Sequence, residues 1–178
     1  IANPDELDGS GIHTWLLESM SLSNLLNECA DMHSRILFEK VPSSSRWLTV
    51  LVNAMRDGKA IQMSYKSFRR TEPTTFEAHP YCLKIFRQRW YMLAHTIGKE
   101  ELRIYSLDRI ADIEVLDTPL LLPENFDAAD FFSDYFGIII GHNIKPSILE
   151  LKASAEQARY LESLPLHSSQ EVVETTPE

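Results

Sequence analysis

Two arginines, a tryptophan, a tyrosine and a histidine are packed into the ten residues Phe86 to His95, FRQRWYMLAH. On a strand alternate residues share a face. Arg87, Arg89, Tyr91, Leu93 and His95 then point one way, and Gln88, Trp90, Met92 and Ala94 the other. Two arginines, a tyrosine and a histidine suit an anion better than a core, because guanidinium offers forked donors and aromatic rings offer stacking planes. SYKSFRRT places Tyr65, Ser67 and Arg69 on one face, a spacing suited to a phosphate or sugar contact. LRIYSLDRI places Arg103, Tyr105 and Leu107 together, with Arg109 at a bend beside Asp108, where a structural role through carbonyl hydrogen bonds is expected. The opposing interpretation of all three stretches is ordinary strands whose aromatics pack and whose arginines are solvated.

Charge supports the first interpretation locally. The 178-residue chain carries a net charge of −9, which argues against general nucleic-acid binding. Lys59 to Arg109 nevertheless holds ten basic and five acidic residues, net +5, and the remaining seven basic and twenty-one acidic residues leave −14 outside it.

Catalytic chemistry has no comparable signal. Gly58, Gly98, Gly137 and Gly141 stand alone, without a phosphate-loop or dinucleotide pattern. The six histidines (His13, His33, His79, His95, His142, His167) lack metal-ligand spacing, and no serine-nucleophile elbow is present. His79 and Cys82, three apart on an extended segment, are expected on opposite faces and so make no nucleophile–base pair. Cys29 and Cys82 read as free packing thiols in a reducing compartment. No enzyme, cofactor or metal is expected. The longest apolar run, YFGIII, is too short for a bilayer, and the acidic start is not a signal peptide, so a soluble cytoplasmic protein is expected.

The elements that must position these residues follow from periodicity. Trp15, Leu16, Met20, Leu22, Leu25, Leu26, Cys29, Met32, Ile36 and Leu37 recur at helical steps within residues 12–40, and KVPSSSR is a linker. A second helix spans Trp47 to Asp57, with Leu48, Leu51, Val52 and Met55 on its apolar face and Gly58 as its stop. After Gly58 the period changes to two. Ile61, Met63 and Tyr65 alternate with polar residues, TTFEAHPYCLKIF carries Pro80 at an edge or bulge, RWYMLAHTI follows, and LRIYSLDRIADIEVL supplies two more strands bent near Asp108. Short strands after one helix predict an α+β fold with a small, strongly bent antiparallel sheet or barrel. Beyond the prolines of DTPLLLPENFD, a short helix and turn, a strand Ile148–Ala153, a helix Ala155–Glu162 and a last strand are expected. That tail reads as the start of a further αβ unit.

IQMSYKSF, EAHPYCLKIFRQRWYMLAH and LRIYSLDRIADIEVL together resemble the WYL domain of bacterial transcription regulators. The Trp-Tyr-Leu run is here Trp90-Tyr91-Met92, a change between side chains of similar volume. The resemblance covers residues 46 to 122. It implies a helical linker or dimerisation segment over 1–45, a WYL domain with an Sm-like, SH3-type β-barrel over 46–122, and over 123–178 a linker and the beginning of a truncated αβ (WCX-like) extension. It further implies a ligand-sensing module of a homodimeric regulator. Such a regulator binds duplex DNA through an N-terminal helix-turn-helix absent from this chain, and its effector is single-stranded DNA or a nucleotide. The ligand-facing positions implied are Tyr65, Ser67, Arg69, His79, Arg89, Tyr91, His95 and Arg103, with Trp90 and Pro80 structural and Lys84 and Arg87 at the rim. The alternative is a purely structural, dimerising module built on the first helix.

Overall fold

The computed structural model describes residues 45–141 and 145–175. The helix expected over 12–40, with Cys29, His13 and His33, and likewise His142, lie outside the described residues.

Helix α1 (Ser45–Arg56) leads into β1 (Lys59–Tyr65), β2 (Thr74–Phe86), β3 (Arg89–Thr96) and β4 (Leu102–Ser106). A 3₁₀ turn (Leu107–Arg109) then joins β4 to β5 (Ile110–Pro119). Helices α2 (Ala128–Phe132) and α3 (Ala155–Ser163) follow. Gly58, at φ +62°, stops α1 as expected, because it adopts the left-handed conformation without a Cβ penalty.

All the strand pairings are antiparallel, in the order β4-β3-β2-β1-β5. This is the predicted α+β architecture, but no ladder joins β4 to β5. The sheet is open, and the barrel expected from the sequence is not closed by hydrogen bonds. It is curled instead. Four strand spacings in a flat sheet would separate its edges by about 19 Å, yet only four residue steps lead from Ser106 to Ile110, which span at most about 14 Å fully extended. The curl is made in β2, whose first half pairs with β1 and second half with β3. The register shifts between Pro80 and Cys82. Proline cannot donate to the ladder, and the extra residue Tyr81 bends the strand.

The inner face carries the predicted period of two. Ile61, Met63, Tyr65, Ala78, Met92, Ala94 and Tyr105 are buried together with Leu107, Ile110 and, from α1, Leu51 and Ala54. Trp47 and Leu48 pack on this core, whereas Val52 is 49% exposed and does not belong to it. The Trp47 indole N–H donates to the Ile110 carbonyl at 3.0 Å and Arg46 donates to the Ala111 carbonyl at 2.8 Å, pinning the helix across the start of β5.

The outer face of β2–β3–β4 is covered as well. Cys82, Leu93 and Phe132 are buried in a second cluster with Tyr81, Leu102, Ile104, Phe126, Phe131, Tyr135 and Ile140. Segment 126–140 thus lies over the strand face that the sequence reading left open to a ligand. Beyond it, α3 forms where expected and buries no residue. Ile148–Ala153 has no regular structure, and the last expected strand is also absent from the described part of the tail. Ile148, Leu149 and Leu151 are exposed, because no neighbouring strand offers them hydrogen bonds or a face to cover.

Candidate ligand site

The eight expected ligand positions do not form one surface. Four of them gather where the curled sheet brings β1, β4 and the 3₁₀ turn together. Tyr65 is buried there, its ring 5.0 Å from that of Tyr105 in edge contact, and its hydroxyl accepts the Ser106 N–H at 3.2 Å. Burial pushes its hydroxyl pKa up, against the opposing influence of the Arg109 cation. Tyr65 is therefore a wall of the site, not a freely accessible side chain. Ser67 makes a turn in the β1–β2 loop, its Oγ accepting the Arg69 N–H at 3.1 Å and its carbonyl the Arg70 N–H at 3.3 Å. Arg69 is exposed, and Arg70 donates to Thr74 Oγ1 at 3.1 Å. Arg89, at the start of β3, has Nη1 3.6 Å from Asp108 Oδ2. Asp108 also accepts from the Ser106 hydroxyl, so this largely buried acid already restrains Arg89.

Arg109, expected to be structural, stands at the centre of this corner. Its carbonyl accepts the Lys66 N–H at 3.0 Å, which holds the β1–β2 loop against the 3₁₀ turn. Its guanidinium carbon lies 5.1 Å from the centroid of the Tyr65 ring and 4.3 Å from that of Phe68. Phe68 is 87% exposed. The Arg109 Nε is buried and makes no hydrogen bond among the described residues. Buried guanidinium donors are ordinarily satisfied. An arginine in contact with two rings, with one donor unused and one of those rings exposed, can hold an anionic group while a flat ring stacks on the phenylalanine. Sequence reasoning passed over Phe68, which alternation placed opposite Tyr65 and Ser67. The loop's turn at Ser67 ends that alternation.

Tyr91 borders this corner through its cross-strand partner Ser106, and the remaining three expected positions, His79, His95 and Arg103, lie elsewhere. His79 is 1% exposed, with its ring stacked on His95 at 6.0 Å between centroids. His79 Nδ1 accepts the Leu121 N–H at 3.1 Å, and the His95 ring nitrogen Nε2 lies 3.1 Å from the Lys99 carbonyl. Burial lowers the His79 pKa, with Glu77 at 3.7 Å opposing that shift and His95 adding to it. The bulge at Tyr81 also overturns the expectation that His79 and Cys82 face opposite ways. Their cross-strand partners are His95 and Leu93, two apart on β3, so both face outward. Cys82 is buried and its thiol is pushed up to about 11, chiefly by desolvation, which makes it a poor nucleophile. Tyr91 is half-buried opposite Lys84 and Ser106, and Arg103 is exposed on edge strand β4 opposite Ala94. Arg87 and Gln88 form the two-residue β2–β3 turn with φ of +46° and +63°, conformations that turns of this kind usually give to asparagine and glycine. Trp90 packs on the core and Pro80 is buried at the bend.

Among the described residues no group of three or more histidine, cysteine or acidic side chains is placed to hold a metal ion. No helix among them is long and apolar enough to cross a membrane.

No curated protein matches the chain. Among solved structures, proteasome accessory factor B/C (PafBC) of Arthrobacter aurescens is similar at 24% identity and a TM-score of 0.42, over 46% of this chain and 13% of that one. Residues 46–115, which run from α1 to Val115 in β5, match the model of the WYL domain.

Proposed function

We propose that this chain is the effector-sensing part of a transcription regulator, without catalytic activity of its own. The effector is an anionic, nucleic-acid-like ligand, single-stranded DNA or a nucleotide, bound at the corner formed by Tyr65, Phe68 and Arg109. Arg69 and Arg89 flank this corner. The match to the WYL domain supports the regulatory reading. The observation that carries the site is the Arg109 guanidinium in contact with two rings, its Nε buried without a hydrogen-bond partner among the described residues and the Phe68 ring exposed. A base stacks on Phe68 while a phosphate takes the guanidinium and neighbouring arginines. Ligand binding then biases a dimeric regulator that binds duplex DNA.

Fluorescence anisotropy of a labelled single-stranded oligonucleotide, at two salt concentrations, tests this. Affinity is expected to fall with salt, because each phosphate contact releases counterions. Phe68 is exposed, so Phe68→Ala leaves the fold intact and should weaken binding by roughly five- to a hundredfold, the range for one lost base stack. Salt-independent binding, or unchanged affinity in Phe68→Ala, would overturn the proposal.

A further inference from the structure

Lys84 lies on the outer face of β2, opposite Tyr91 of β3. Its ammonium sits 3.8 Å from the centroid of the Phe132 ring, and among the described residues it makes no ion pair. It lines an open cleft of about 370 Å³ between β2, α2 and the turn that follows α3. Cys82, Ala128 and Phe132 supply mostly apolar walls, and Ser133 and Ser168 supply hydroxyls. The Ser133 hydroxyl donates to the Asp130 carbonyl at 2.7 Å, which leaves its lone pairs turned to other donors.

A cation without a carboxylate partner, resting on a ring in a small apolar cleft, lacks an anion. Burial lowers the Lys84 pKa, in keeping with an ammonium that has lost part of its water and gained no counter-charge. The thiol of Cys82 beside it is held neutral by the upward shift of its own pKa and supplies none. One cation among apolar walls favours a monoanion attached to an apolar body over a phosphate, whose second charge and hydration would go uncompensated.

We propose that this cleft is a second ligand site, for a small aromatic carboxylate whose carboxylate pairs with Lys84 and whose ring lies against Phe132 and Ala128. The cleft shares no lining residue with the corner of Tyr65, Phe68 and Arg109. It joins β2 to the segment covering the sheet, so occupancy tightens that segment onto the strands.

The probe is sodium benzoate, with benzamide as its neutral counterpart, titrated into the full 178-residue chain while backbone amide shifts are followed by NMR. Benzoate should produce saturable shifts at Ala128, Ala129 and Ser133 with a Kd on the order of 1 mM, typical of a fragment making one ion pair and one ring contact. Benzamide should produce none, and Lys84→Met should weaken benzoate at least about tenfold, the factor that 1.4 kcal/mol represents. Shifts that rise without saturating, equal shifts from benzamide, or unchanged benzoate binding by Lys84→Met would overturn the proposal. Ala129→Phe, a change at an exposed helix position that fills the cleft, decides the matter if Lys84→Met fails to fold. Loss of the benzoate shifts in that folded variant supports the site, and their persistence sinks it.

Discussion

The Tyr65 hydroxyl on β1 accepts the backbone N–H of Ser106 on β4 at 3.2 Å, although β2 and β3 lie between those strands in the sheet. Three strand spacings would put them about 14 Å apart in a flat sheet. The bond therefore exists only because β2 bends, and it closes the corner at which Arg109 is held.

Removing that hydroxyl leaves a buried N–H without its acceptor. Tyr65→Phe should lower unfolding stability by about 1–3 kcal/mol, the usual loss for a stranded buried donor. Urea denaturation of the two proteins measures it. A loss below about 0.5 kcal/mol would show that the bond contributes little to holding the curl.

His79 makes stability depend on pH. Its folded pKa lies below 6.5 because burial disfavours the imidazolium, whereas the unfolded chain takes the proton near that value. Its contribution is then complete above pH 6.5 and is lost as the pH falls through the folded value. The charged and titratable neighbours are Glu77 on the same strand and His95 on β3. His79→Asn keeps an acceptor for the Leu121 N–H without titrating. The decline in stability from pH 7 to pH 5 should be shallower in this variant, and equal slopes would show that His79 does not titrate on unfolding.

Cys82 should be inert while the chain is folded. A thiol pushed up from 9.0 to about 11 has about a hundredfold less thiolate near neutral pH, and burial restricts access further. Iodoacetamide labelling followed by peptide mass spectrometry should find Cys82 modified in denaturant and spared in buffer. Rapid labelling in buffer would mean that the aromatic cover opens readily.

Gly137 fastens that cover. Its φ is +66°, and a Cβ placed there would come within 2.5 Å of the Phe86 ring. Gly137→Ala should cost about 1–3 kcal/mol through backbone strain and displacement of the ring. Faster hydrogen exchange at Leu93 and Ile104, beneath the cover, is expected to accompany the loss.

Much of the fold was legible because period-two alternation reports burial directly. Ile61, Met63 and Tyr65 face the core as their spacing required, and Gly58 ends the helix where its backbone freedom allowed. Val52 shows the limit of the same logic, since Trp47, Leu48, Leu51 and Ala54 are the helix residues that meet the core and Val52, beside them on the helix, stays 49% exposed. The site was legible only in its ingredients. Arginines and aromatics were visible in the middle of the chain, but alternation counted on straight strands, and the bulge at Tyr81 and the turn at Ser67 each reset it.

By itself the sequence determined the helix-then-strands order, the inner core face and the basic middle, all of which depend on residue type and local spacing. The tertiary structure alone decided that β4 and β5 stay unpaired, that Phe68 and Tyr65 both contact Arg109, and that segment 126–140 covers the outer face of β3. These are contacts between distant residues. They depend on where a strand bends, and a bend at one residue moves every side chain beyond it to a different neighbour.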